Sequence, residues 1–307
     1  MKAAFIRTNG GPEVFEYGDL PDPAPAAGEI LVDIVAASVN GADWKSREGS
    51  YGRPMQFPYV LGRDFSGVVA RIGSGVTDFK PGDEVFAVLP RGLEGTYAER
   101  VAVSADVVAK KPAGISHVDA AAVALTGVTA IDSVDATLQV TPGETILIQG
   151  GAGGVASFAI QFAKSIGARV ITTTSTANLD YVRSLGADEV IDYRTDDFTR
   201  IGPVCDAVFD TVGGDVAIRS FAVLKPGGRA AFIGSGVNAP VSPRTDLRSL
   251  RPPVPRSRAV MERIAQLVMS GAVKPPAVSL FALADAAAAH RISQGRHLRG
   301  KLIFTIR

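Results

Sequence analysis

Residues 145–156 read Thr145-Ile146-Leu147-Ile148-Gln149-Gly150-Gly151-Ala152-Gly153-Gly154-Val155-Ala156. The apolar run is a buried strand and the glycines are a tight turn. The spacing Val155, Ala159, Phe162, Ile166 is a helix leaving that turn. Gly151-x-Gly153-x-x-Ala156 therefore fits the pattern G-x-G-x-x-G/A in the strand–turn–helix frame it requires. Gly151 is expected to allow the turn, Gly153 to let the backbone approach a pyrophosphate, and small Ala156 to let the helix sit on the strand. Together with Ala152, Gly154 and Val155 they would present free N–H donors and a helix N-terminus to phosphates. A glycine turn without a ligand is the alternative.

Working outward, strands and helices alternate. Strands are expected at 144–149, 169–174, 189–193, 207–210 and 229–233, with helices at 155–166 and 178–185, which implies βαβ units and a parallel sheet. Upstream the texture differs: short strands at 30–35, 66–72 and 84–88 lie between turn signals such as Lys80-Pro81-Gly82-Asp83, the pattern of a compact β-rich barrel. Ser116 is placed to cap an Ala-rich helix. Residues 238–258, rich in Pro and Arg, read as a loop, either solvated or meeting a phosphate or acidic partner. A helix at 261–269 follows. A last strand at 301–306 is expected to return to the first unit. The fold class is α/β: a doubly wound parallel sheet plus a β-barrel domain.

The second βαβ strand bears on the choice of cofactor. A site for NAD usually carries Asp or Glu about 20 residues after the glycines, on the ribose 2′-hydroxyl. Here the chain reads Ile171-Thr172-Thr173-Thr174-Ser175-Thr176, with no carboxylate. Hydroxyls donate to a 2′-phosphate that a carboxylate would repel, so Thr174 and Ser175 point to NADP(H). Tyr193 and Arg194, after the next strand, are candidates for the missing positive or donor group.

The 307 residues allow about two domains at ~150 residues each. Hydrophobic residues at 46% and charged residues at 21% are the balance of a globular protein. A net charge of +1, from 32 basic and 31 acidic residues, argues against a nucleic-acid partner. No apolar stretch approaches the ~20 residues of a membrane span, so no membrane partner is expected and a cytoplasmic location is the default. Cys205 is the single cysteine, which excludes an intrachain disulfide and any metal site of several thiolates. It is read as a buried, inert thiol.

Several segments, in order, carry a resemblance. They are Ser38-Val39-Asn40-Gly41-Ala42-Asp43-Trp44-Lys45, Leu61-Gly62-Arg63-Asp64-Phe65-Ser66-Gly67 and Lys80-Pro81-Gly82-Asp83-Glu84-Val85. Further along come Gly127-Val128-Thr129-Ala130, the glycine turn, Phe209-Asp210-Thr211-Val212-Gly213-Gly214 and His297-Leu298-Arg299-Gly300-Lys301. Over essentially the whole chain the sequence resembles the quinone oxidoreductase branch of the medium-chain dehydrogenase/reductase superfamily. The resemblance implies a GroES-like domain at 1–120 completed by 269–307, a Rossmann domain at 121–268, and an active site in the cleft between them.

Zinc-dependent relatives carry a cysteine near residues 40–43 and a Gly-His-Glu near 62–64. This chain has neither, and an arginine has no lone pair for a metal, so no metal is expected. Without a Lewis acid, reduction of an activated C=C or a quinone is favoured over alcohol oxidation. The resemblance further places Tyr51 and Asn40 as candidate catalytic residues, each with a packing or turn role as its alternative. It places Thr129 at the nicotinamide carboxamide, Thr211 among the cofactor residues, and Gly234 and Ser235 beneath the nicotinamide ring. Arg63 and Asp64 are expected to form an ion pair. His297 is either near the cofactor or structural, and no histidine pairs with a nucleophile motif. The expected function is NADPH-dependent reduction of a small quinone or α,β-unsaturated carbonyl by a homodimer. The alternatives are an enoyl-thioester reductase and a non-catalytic NADPH-binding protein.

Overall fold

The computed structural model describes residues 1–52, 54–236 and 238–307. The chain divides into two compact units. One comprises residues 1–125, 256–270 and 275–307, and the other residues 126–255 and 271–274.

In the second unit six parallel strands lie in the order Glu189–Asp192, Arg169–Thr174, Thr145–Gln149, Cys205–Asp210, Leu224–Phe232, Arg248–Leu250. Numbered along the chain that order is 3-2-1-4-5-6, the doubly wound arrangement of a dinucleotide fold. The direction of winding reverses between Thr145–Gln149 and Cys205–Asp210, and open α/β sheets bind ligands outside the carboxyl ends of strands at such a point. Helix Gly154–Ile166 returns from the glycine turn with Ala156, Ala159, Ile160, Phe162 and Ala163 buried, and Gly167 ends it in the left-handed region. Leu147, Ile171, Val208, Phe221 and Phe232 form the core of this unit.

The first unit is built on a sheet in the order Val278–Ala282, Lys301–Thr305, Glu29–Val39, Asp64–Ile72, Glu84–Val88, Val108–Lys110, with Arg100–Ser104 also pairing with Glu29–Val39. A smaller sheet joins Phe15–Asp19, Lys2–Ile6 and Tyr59–Val60. The strand expected to return does so: Lys301–Thr305 pairs antiparallel with Glu29–Val39, Leu302 opposite Val39. Ser116 caps helix His117–Ile131, accepting from the Asp119 N–H at 3.0 Å.

Two details differ from the sequence reading. Helix Arg258–Met269 belongs with the first unit, not with the dinucleotide unit to which a boundary at 268 assigned it. Its buried Met261, Ile264 and Ala265 pack over Val108–Lys110 and the short turn Ala105–Val107. Residues 238–258 are also not all loop, since Arg248–Leu250 adds an edge strand beside Leu224–Phe232. Three residues are too few for a period-2 pattern to declare itself.

Candidate active site

The glycine turn is built as the sequence requires, with one exchange of roles. The left-handed residue is Gly150, at φ +76°, and not Gly151. Gly151 is small for a different reason: a Cβ there would lie 2.5 Å from Thr172 Oγ1. That hydroxyl is fixed by donating to the Ile148 carbonyl at 2.6 Å. Gly151 N–H donates to the Thr173 carbonyl at 2.8 Å, locking the turn to the next strand. Gly153 is the N-cap of helix Gly154–Ile166, and no side chain caps it. The first N–H groups of that helix are therefore left for a ligand.

Hydroxyls crowd the adjoining strand ends. Thr173 donates to Gln149 Oε1 at 2.6 Å, and Gln149 Nε2 donates to Ser220 Oγ at 3.0 Å. Thr211 Oγ1 donates to the Gln149 carbonyl at 2.8 Å and so ties the two strands across the reversal point. Thr174 Oγ1 and Ser235 Oγ are both buried without a hydrogen-bond partner. Ser175 accepts from Asn178 Nδ2 at 3.1 Å. Tyr193 is exposed, and Arg194 lies next to it.

The sequence reading missed Asp192, which ends the strand opposite Thr174. It accepts from Thr176 Oγ1 at 2.5 Å and from the Arg194 N–H at 3.0 Å, so it orders both loops around Ser175 and Arg194. The Thr176 hydroxyl is the main reason its carboxyl sits below the usual range. Loop 211–214 and Gly234 meet backbone to backbone, a Cβ on Gly234 falling 2.6 Å from the Gly213 nitrogen. Buried Asp210 holds that loop through the N–H groups of Val212 and Gly213, and burial pushes its carboxyl up to about 6. Thr129 is buried within helix His117–Ile131.

In the first unit, the expected Arg63–Asp64 ion pair does not form. Arg63 pairs with Asp43 at 2.8 Å, with Glu94, and with Ser46 Oγ at 2.8 Å. Arg63 precedes the strand Asp64–Ile72, and the two neighbouring side chains meet different partners. Asp64, fully buried, accepts from both Ser38 Oγ and Asn40 Nδ2, the latter at 2.8 Å. Lys301 Nζ donates to Asn40 Oδ1 at 2.7 Å, so Asn40 bridges a buried acid and a buried base. Burial raises the Asp64 carboxyl and lowers the Lys301 ammonium, each opposed by the other's charge. Asn40 also has the turn role weighed for it, its N–H donating to Asp43 Oδ2 at 2.8 Å.

A second chain of bonds steadies Arg63. Tyr97 donates its hydroxyl to Asp43 Oδ2 at 2.8 Å. His290 Nε2 is 3.1 Å from the Tyr97 oxygen, and its Nδ1 is 3.0 Å from Arg47 Nη1. Because the guanidinium only donates, Nδ1 accepts and Nε2 carries the proton. Burial, aided by Arg47, holds His290 down at about 3. Tyr51, partly exposed, lies with its ring centroid 5.9 Å from the Arg63 guanidinium. With Ser46, Met55, Tyr59 and Glu94 it lines a cavity of about 110 Å³. His297 is exposed, and His117 is engaged by Ser66 Oγ and Glu84.

The family comparisons fall on this architecture. Residues 26–113 match a family described as alcohol dehydrogenase GroES-like domain, and residues 185–304 one described as zinc-binding dehydrogenase. The NADPH-dependent alkenal/one oxidoreductase of Arabidopsis thaliana chloroplasts is 33% identical, over 99% of this chain and 79% of its own length. The quinone oxidoreductase structure from Coxiella burnetii superposes with a TM-score of 0.93 at 34% identity, covering 100% of this chain and 99% of that one. This chain belongs to the quinone oxidoreductase branch of the medium-chain dehydrogenase/reductase superfamily. The Escherichia coli quinone oxidoreductase complexed with NADPH, at 29% identity and full coverage of both chains, gives a TM-score of 0.91.

In this medium-chain reductase the zinc implied by the family description does not fit the residues present. Arg63 cannot be a ligand. Cys205 lies buried in the dinucleotide unit, its thiol pushed by burial to about 12. Among the described residues no group of three or more His, Cys, Asp or Glu side chains gathers. NADP(H) does fit: an uncapped helix N-terminus, a turn too tight for a Cβ, and two buried orphan hydroxyls stand around the carboxyl ends of the strands. The arginines of 238–258 form no common patch: Arg244 pairs with Asp246, Arg251 donates to the Phe232 carbonyl, and Arg258 pairs with Asp78.

Proposed function

We propose that this enzyme is an NADPH-dependent reductase of quinones and α,β-unsaturated carbonyls that works without a metal. The observation that carries this reading is Arg63: a guanidinium saturated by Asp43 and Glu94 stands where the zinc-dependent branch has a ligand. The names of the relatives support the same substrates and cofactor. When bound, NADPH would supply hydride equivalents for an electron-poor carbon, with a proton from the medium completing the saturated product or hydroquinone.

The chain's own residues divide the rest. Ala152, Gly154 and Val155 would cradle the pyrophosphate with backbone N–H groups, while Gly151 and Gly153, whose N–H groups close the turn on Thr173 and Gly150, leave room for it to approach. Thr174, Ser175, Tyr193 and Arg194 would take the 2′-phosphate, with Asp192 ordering the last two. Thr129 would hold the carboxamide, while Thr211, Gly234 and Ser235 shape the floor under the nicotinamide. Tyr51 would offer a donor to the substrate oxygen, where a preorganised hydrogen bond contributes ~3 kcal/mol. Asn40, clamped by Asp64 and Lys301, would present a fixed edge beside the ring.

A homodimer in the cytoplasm completes the proposal. No helix of the described residues is long and apolar enough to cross a membrane. The test is NADPH oxidation across a panel of quinones and enones, with NADH alongside. Turnover with several members and a preference for NADPH is expected. Failure with every member overturns the reading.

A further inference from the structure

Asp210 is the last residue of strand Cys205–Asp210 and is fully buried. The winding of the sheet reverses between this strand and Thr145–Gln149, and Asp210 lies opposite Gln149 at their carboxyl ends. Both carboxylate oxygens are spent on the loop that follows. Oδ1 accepts from the Val212 N–H at 3.2 Å and Oδ2 from the Gly213 N–H at 2.8 Å. Loop 211–214, so held, rests on the glycine turn itself. A Cβ on Gly150 would meet Thr211 Oγ1 and Val212 Cγ2, each at 3.0 Å. Thr174 and Ser175 lie on the far side of the reversal, so this loop borders the half of the crevice left for the nicotinamide end of a dinucleotide.

No charged side chain answers Asp210 among the described residues. Strand Thr145–Gln149 has none, and Leu224–Phe232 sets Phe232 opposite Asp210. The charged residues of that second strand have other partners, Lys225 pairing with Asp206 and Arg229 with Glu144. Turn Ser220–Val223, which packs on Cys205–Asp210, carries no charge. In helix Asp215–Arg219 the two end residues pair with each other, and Arg219 also with Asp197. Two N–H groups are thus the counterweight to burial.

We propose that Asp210 is a positioning residue for the coenzyme: as a carboxylate it fixes loop 211–214 against the glycine turn, and the hold on the nicotinamide half of NADP(H) depends on it. This rests on the reductase reading and adds a proton-sensitive latch to its coenzyme site. Burial sets the carboxyl at about 6, so below that value one oxygen takes a proton, an N–H loses its acceptor, and the loop is released. The charged form is the one that binds, so affinity is full above about pH 7 and declines as pH falls through the carboxyl's range.

The experiment measures Kd by calorimetry for NADP+, which withstands acid, and for adenosine 2′,5′-bisphosphate, which lacks the nicotinamide half. Both are titrated into the wild type and Asp210→Asn. At about pH 7.5 the variant should bind NADP+ about tenfold more weakly, the scale of one lost charge-assisted hydrogen bond. The bisphosphate should bind both proteins within about twofold, which also shows that the variant is folded. Near pH 5 the tenfold gap should close to about twofold, because the wild-type carboxyl is then mostly protonated. The 2′-phosphate titrates alike with both proteins and cancels. Equal weakening of both probes, no weakening of either, or a gap that persists in acid overturns the proposal. If the variant does not fold, amide exchange in the wild type decides. Protection of Val212 or Gly213 should fall between about pH 7.5 and about pH 5 relative to Ile233, whose N–H donates to the Asp210 carbonyl at 3.0 Å. Unchanged relative protection overturns the proposal. If the wild type binds neither probe, the coenzyme reading itself fails and this proposal falls with it.

Discussion

Ser175 follows the strand Arg169–Thr174 with only Asn178 on its hydroxyl, and Asp192, opposite Thr174 on the neighbouring strand, is already engaged on both oxygens. Replacing Ser175 by Asp would set a free negative charge against the proposed 2′-phosphate. The ratio of KM for NADPH to KM for NADH should rise about tenfold, ~1.4 kcal/mol. Steady-state kinetics with both cofactors reads this directly, and an unmoved ratio removes Ser175 from the site. Arg63 shows where residue-level reading stops. Its adjacency to Asp64 in sequence suggested a pair, but the partners it has are 20 and 31 positions away. Nothing in a linear pattern signals which face of a strand an acid will meet.

At the scale of the element, the glycine turn was read almost whole from residues 145–156, because strand, turn and helix are contiguous and every constraint is local. The exception was the exchange between Gly150 and Gly151, since a contact with Thr172 across strands leaves no mark in the local pattern. The contact gives a test. Gly151→Ala drives a methyl to 2.5 Å from Thr172 Oγ1 and should lower stability by ~1–3 kcal/mol, the cost of overpacking. Adding Thr172→Ala removes the obstacle, so the double variant should be more stable than the sum of the two single effects by ~1 kcal/mol, measured by urea unfolding. Strict additivity would mean that Gly151 is held small by something else. Helix Arg258–Met269 went to the wrong unit for a related reason: its buried face was legible, but not the surface it covers.

For the whole molecule, acid sensitivity should originate in the first unit. His290 is neutral when folded, at about 3, whereas in the unfolded chain it regains its ordinary value near 6.5. The folded pKa is the lower one, so the stability from keeping His290 uncharged is fully present above ~6.5 and declines as pH falls toward ~3. Between about pH 7 and about pH 5 the wild type should lose ~2 kcal/mol relative to His290→Gln, which does not titrate. Urea midpoints at the two pH values check this, and an unchanged difference shows that His290 is not shielded as the bonds to Tyr97 and Arg47 imply. The two-unit organisation itself was legible from texture, with short strands and turns on one side and alternating strands and helices on the other. The histidine relay was not, because it joins residues from three distant stretches of chain.

Lys301 reaches back 262 positions to the carbonyl of Val39 and clamps Asn40 in the same gesture. During synthesis the dinucleotide unit, nearly all of it one continuous stretch, emerges while the first unit still lacks a central strand. The binding fold is therefore free to form first, and the half carrying Asn40 waits for strand Lys301–Thr305 to complete its sheet. A nascent chain would carry a folded dinucleotide unit before the Lys301–Asn40 clamp exists.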